Sequence, residues 1–131
     1  MAFLPAFRLD SSVTPFELLP CSAITPKIGM ALVLSEGRLT IATGETKPQF
    51  ISMRSAAAAV TAGTPIPVLR VTEEQIFETT CSAAFTAVNI GSKVTLHATN
   101  GLQVTATTTN GVAEVISFDG TAAGSLVRVR F

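Results

Sequence analysis

The chain writes one pattern twice, and this repetition limits its fold more than any other feature. Residues 28–53, IGMALVLSEGRLTIATGETKPQFISM, read as a hairpin with a return strand, and residues 90–118, IGSKVTLHATNGLQVTATTTNGVAEVISF, read the same way. Ile28-Gly29 answers Ile90-Gly91, Leu32 and Leu34 answer Val94 and Leu96, and Leu39 and Ile41 answer Val104 and Ala106. Phe50-Ile51-Ser52-Met53 answers Val115-Ile116-Ser117-Phe118. Upstream, Phe16-Glu17 with Cys21-Ser22-Ala23 is echoed by Phe77-Glu78 with Cys81-Ser82-Ala83. A supersecondary unit that recurs in this way cannot bury its own apolar face alone, so the copies must pack on each other.

Each unit reads as strands. Met30–Leu34 and Leu39–Ala42 flank Ser35-Glu36-Gly37-Arg38, a loop whose glycine accepts positive φ. Gly44–Pro48 is a turn, and Gln49–Met53 is the return strand. Arg54–Gly63 is alanine-rich but short and lacks acidic residues near its start, so it is expected as a loop or distorted strand and not as a helix. Val68–Val71 and Gln75–Cys81 read as strands around Thr72-Glu73-Glu74. In the second copy, Val94–Ala98 and Leu102–Thr107 flank Asn100-Gly101, the pair best suited to a type I′ turn. The alternation over Leu126–Phe131 places Leu126, Arg128 and Arg130 on one face and Val127, Val129 and Phe131 on the other. That pattern predicts a half-buried strand at an edge or an interface.

The expected fold is all-β: a small closed β-barrel or sandwich built from an internal duplication. Its units, about 16–72 and 73–131, would be related by a pseudo-twofold within a single domain over 16–131. Residues 1–15 carry Pro5 and Pro15 and no periodicity, and are expected as an extended N-terminal arm. Its apolar residues, Phe3, Leu4, Phe7 and Leu9, either lie along this domain or dock on a neighbour. The start of the chain lacks the basic residues and sustained apolar run of a secretory signal, and no apolar run has membrane-spanning length.

Composition bears on partners. Apolar residues make up 47% of the 131 residues and charged residues 14%, too few charges to cover a small domain, so self-association is expected. Nine basic and nine acidic residues cancel, which argues against nucleic-acid and membrane partners. Cys21 and Cys81 occupy matching repeat positions outside any CxxC pair and are expected as free, buried thiols.

Little in the chain suggests chemistry. His97 is the lone histidine, with no carboxylate near it in sequence, and reads as a surface side chain. No G-x-S-x-G elbow exists, and Gly120–Gly124 lacks the lysine of a phosphate loop. Glu73, Glu74 and Glu78 form the densest acidic patch, without the ligand alternation of a calcium loop. The absence of Trp and Tyr removes the usual stacking platform for sugars and single strands. No enzyme, metal or cofactor is expected.

GMALVLSEGRLTIATGETKPQFISM, followed by PVLRV and IFET, resembles the small capsid decoration (cement or head-auxiliary) proteins of tailed bacteriophages. There a Gly-start strand, a Gly turn, a Lys-Pro return strand and an Arg-Val strand recur in short, charge-poor, all-β chains. The resemblance covers Ile28–Thr79; the arm and the second copy fit in style only. It implies a non-enzymatic virion protein, made in the host cytoplasm, that binds the major capsid protein on the capsid surface as a homotrimer and stabilises the shell. Phe3, Leu4, Phe7, Arg128, Arg130 and Phe131 are the candidate contact residues. Each of these either meets a partner or completes the domain's own core and surface. The alternatives are another virion barrel from the tail or neck, and a small β-barrel module that binds a ligand.

Overall fold

Short runs of alternating apolar residues broken by glycine and proline give no helix a face to bury, and none forms among the described residues. The computed structural model describes residues 2–10 and 15–131, so expectations for Met1 and for 11–14 of the arm lie outside it. Ten strands form: β1 (Leu4–Arg8), β2 (Phe16–Pro20), β3 (Ala31–Ser35), β4 (Arg38–Ile41), β5 (Phe50–Ser52), β6 (Pro65–Arg70), β7 (Gln75–Thr80), β8 (Lys93–Val94), β9 (Ala113–Phe118) and β10 (Leu126–Arg130). They make two five-stranded antiparallel sheets, ordered β2-β6-β5-β3-β4 and β1-β7-β10-β9-β8.

The closed barrel, one of the two architectures expected, does not form. Each sheet keeps two outer strands, and no ladder joins one sheet to the other among the described residues. The reason lies in which faces are apolar. The first sheet is apolar on both sides: Leu32, Phe50, Ile66 and Val68 point to one face, and Ala31, Ile51 and Leu69 to the other. A strand buried on both faces stacks as a layer. Ala31, Ile51 and Leu69 join Phe77, Val94, Val115, Val127 and Val129 of the second sheet in one cluster. The opposite face of the first sheet is closed by Ile24 and Val60, whose loops run together through a Val60 N–H to Ile24 O bond. That segment, Arg54–Gly63, is a loop, as its sequence suggested.

Several strands differ from expectation for local reasons. β6 begins at Pro65 and includes Pro67 although it is an inner strand. Pro67 lies beyond the end of β5, where its carbonyl accepts from Met53 N–H and no N–H of its own is needed. The expected strand Val94–Ala98 shrinks to the two residues of β8, and Leu102–Thr107 contributes only bridges from Val104 to Leu96 and to Cys81. β10 is not an edge: it lies between β7 and β9, and Arg128 and Arg130 on its polar face are matched by carboxylates on those neighbours.

Residues 4–8, expected within an extended arm, form β1 of the second sheet. β1 pairs antiparallel with β7, Leu4 opposite Glu78 and Phe7 opposite Ile76. Phe3 N–H donates to Gly29 O at 2.8 Å. Gly29 has φ 82°, and a Cβ there would meet the Phe3 backbone at 2.9 Å, so glycine admits the arm.

Candidate interaction surface

The six candidate contact residues separate into three groups. Phe3 and Phe131 are inside: Phe3 is fully buried, its ring 5.4 Å from that of Phe131 at 64°, and Phe131 lies 5.8 Å from Phe77. These packed rings, edge-on for Phe3 and tilted for Phe77, close the large core cluster beneath β1. Arg128 and Arg130 lie on the outer face of the second sheet with their guanidinium groups occupied. Arg128 reaches Asp119 at 3.0 Å and Glu78 at 3.2 Å, and Arg130 reaches Glu114 at 3.2 Å. The hydrogen bond to Asp119 is the first cause holding the Arg128 pKa above its ordinary value. Leu4 and Phe7, on β1, remain exposed.

The structure adds residues that sequence reasoning passed over. Phe16 and Leu18 are 65% and 70% exposed and share a face of β2, the outer strand of the first sheet. With Leu4, Phe7 and Leu9 they place five of the eight exposed large apolar side chains among the described residues within the first 18 positions. The sequence signal was available: Phe16-Glu17-Leu18-Leu19 alternates at the start of a strand. Its match to the buried Phe77 region concealed the exposure.

The phase of the β2 ladder can be read from its neighbours. Cys21 N–H donates to Thr64 O, and Met53 N–H and Val71 N–H donate to Pro67 O and Gln49 O. Residues 67, 69 and 71 therefore face β5, whereas Glu17, Leu19 and Cys21 face β6. Phe16 and Leu18 direct their N–H and C=O groups away from β6, and on that same side the chain just after β2 meets β4, where Cys21 bridges Leu39 and Ser22 N–H donates to Leu39 O. On the other face, Glu17 accepts from Arg70 at 2.8 Å, which lowers its pKa, and Arg70 lies 4.9 Å above the Phe50 ring.

The residues considered for chemistry do not converge. His97 is half-buried, and its Nδ1 accepts from Thr99 and Asn100 N–H at 3.2 and 3.4 Å, so it shapes the 97–102 loop. Glu78 turns to Arg128 and Glu74 to Arg8, which separates the acidic patch. No group of three His, Cys, Asp or Glu is placed to hold a metal among the described residues. Cys21 and Cys81 are free and buried, donating to Thr64 O and Ala122 O, and burial pushes the Cys21 thiol pKa up. Two clefts of about 270 and 380 Å³ share Lys47; the smaller contains the Arg130–Glu114 pair beside Lys93 and Glu73. Comparison with family models, curated proteins and solved structures finds no match to this chain.

Proposed function

We propose that this is a non-enzymatic structural protein that decorates the outer surface of a tailed-bacteriophage capsid and stabilises the shell. The observation that carries the reading is the concentration of exposed apolar side chains on the two N-terminal outer strands, Leu4 and Phe7 on β1 and Phe16 and Leu18 on β2. Apolar edges of this kind suit association with protein surfaces and offer no reacting group. The hairpin motif over Ile28–Thr79 supplies the class of partner, a major capsid protein, and the virion location. In this reading Leu4 and Phe7 are the capsid-facing residues. Phe3 and Phe131 support β1 from beneath, and Arg128 and Arg130 brace the second sheet.

The proposal includes an internal duplication of units 16–72 and 73–131. It is supported by matched positions around the two sheets. Cys21 bridges Leu39 in parallel as Cys81 bridges Val104, and Leu32 lies opposite Phe50 as Val94 lies opposite Ala113. Ile66 and Val68 on β6 are fully buried, as are Val127 and Val129 on β10. Self-association is part of the same reading. A trimer is the order implied by the resemblance.

The test is cosedimentation with expanded shells assembled from the major capsid protein encoded in the same genome. Saturable pelleting at a fixed ratio, with shells that survive higher temperature, is the expected result. A double change of Leu4 and Phe7 to Ser should reduce binding at least tenfold while leaving the thermal midpoint within a few degrees, since both side chains are exposed. Protein that stays in the supernatant over all shell forms would reject the decoration reading.

A further inference from the structure

We propose that Asn110-Gly111 is a self-reacting modification site, at which the folded protein converts Asn110 to aspartate and isoaspartate through a cyclic imide. The other Asn-Gly pair, Asn100-Gly101, is shielded by the fold. This goes beyond the capsid reading and does not rest on it.

The two pairs sit in nearly the same local sequence, Thr99-Asn100-Gly101-Leu102 and Thr109-Asn110-Gly111-Val112, so only tertiary structure can make them differ. A glycine after asparagine leaves its backbone nitrogen open to approach, because no Cβ stands beside it. That nitrogen attacks the asparagine Cγ. The new Cγ–N bond closes the imide ring and the Cγ–Nδ2 bond breaks. The side-chain nitrogen leaves as ammonia, taking the proton that the glycine N–H gives up. Water then opens the ring at either carbonyl, which yields aspartate or isoaspartate. Water is the only co-reactant, and nothing is oxidised or reduced.

Asn100 is held where the reaction must move it. Its Oδ1 accepts from Leu102 N–H at 2.8 Å, and its own N–H donates to His97 Nδ1 at 3.4 Å. Gly101 is buried against the Ala31 and Ala42 carbonyls, and its oxygen accepts from Ala31 N–H at 2.8 Å. Asn110 differs. It is exposed at φ 54°, and no hydrogen bond ties its side chain or the Gly111 N–H among the described residues. The glycine itself cannot be exchanged for a slower-reacting residue, because a Cβ at Gly111 would collide with the Lys93 backbone. The fold therefore requires Gly111 and leaves Asn110 free. The product sets a carboxylate next to Gly111, which lines the smaller cleft with Lys47, Lys93 and Arg130. The formal net charge of the chain moves from zero to minus one. Isoaspartate also adds a methylene to the backbone just ahead of the Val112 N–H to Val94 O bond, where β8 meets β9.

The test incubates the full chain, folded and in denaturant, in mildly alkaline buffer at physiological temperature. Fragmentation mass spectrometry of the tryptic peptide 94–128, which holds both pairs, then assigns each product. In denaturant the two sites should react at similar rates. In the folded protein Asn110 should react about tenfold faster than Asn100 or more, a barrier difference of about 1.4 kcal/mol. Asn110→Gly keeps the positive φ and should remove the acidic species that ion exchange resolves from folded wild type. Equal rates at the two sites in the folded protein, or a faster Asn100, would overturn the proposal. So would an Asn110 that stays intact while the denatured chain reacts, aspartate formed without isoaspartate, or acidic species that persist in Asn110→Gly.

Discussion

Phe3 concentrates more of the fold's stability than its place near the chain start suggests. Its ring packs edge-on against Phe131 and lies fully buried, so Phe3→Ala leaves a cavity under β1. Such a truncation costs about 3–5 kcal/mol and lowers the thermal midpoint by roughly 10–18 °C for a domain of this size. Calorimetry on the variant checks it, and a loss under a few degrees would show that the arm contributes little to the core. Glu17 gives the opposite case. Arg70 holds its carboxyl below the ordinary carboxylate range. A lowered folded value stabilises the fold above the unfolded value, and that contribution vanishes as pH falls through the lowered one. Both side chains face solvent, where a pair contributes little. Glu17→Gln is therefore expected to leave the midpoint at pH 7 nearly unmoved and to flatten slightly the acid limb of the stability curve, measured by melts from pH 7 to 2. From residue types alone, Phe3 and Phe7 look equivalent; only their depth separates a core ring from a surface one.

At the scale of elements, the two hairpins reverse the ranking that turn propensity assigns. Asn100-Gly101 is the better type I′ pair by composition, yet only Gly101 has positive φ there, and Asn100 Oδ1 instead accepts from Leu102 N–H. The turn with both central residues at positive φ is Glu36-Gly37, at 51° and 80°. Tertiary packing explains the exchange. Gly101 sits against the Ala31 and Ala42 carbonyls, and Ala31 N–H donates to Gly101 O, so the second loop is shaped by the first sheet. Gly29 and Gly91 form a second instructive pair. Both have positive φ, but only Gly29 faces backbone; the space beside Gly91 is open. Gly29→Ala should cost about 2–3 kcal/mol and Gly91→Ala about 1–2 kcal/mol, read as denaturant midpoints. Equal losses would mean that the arm does not press on Gly29.

At the scale of the whole molecule, the layers and the exposed apolar side chains of β1 and β2 decide what the protein can meet. The all-β character, the strand positions around residues 31–52 and 65–80, the buried thiols and the two faces of Leu126–Phe131 were legible in the sequence. Hydrophobic period and turn residues act locally and survive any packing. Matched residues in the two segments were also visible, although the register of the paired strands was not: by its pairing Phe50, opposite Leu32, matches Ala113, opposite Val94, and not Val115. Which strand becomes an edge, which ring is buried and which arginine is already paired depend on contacts between residues far apart in the chain. Thus β10 became an inner strand, Phe3 and Phe131 entered the core, and β2 was left with Phe16 and Leu18 facing outward. The sequence by itself determined strands, turns and the low surface charge, because these follow from each residue and its near neighbours. Only the tertiary structure decided between barrel and layered sheets and between covered and open edges, because both depend on how apolar faces from opposite ends of the chain meet.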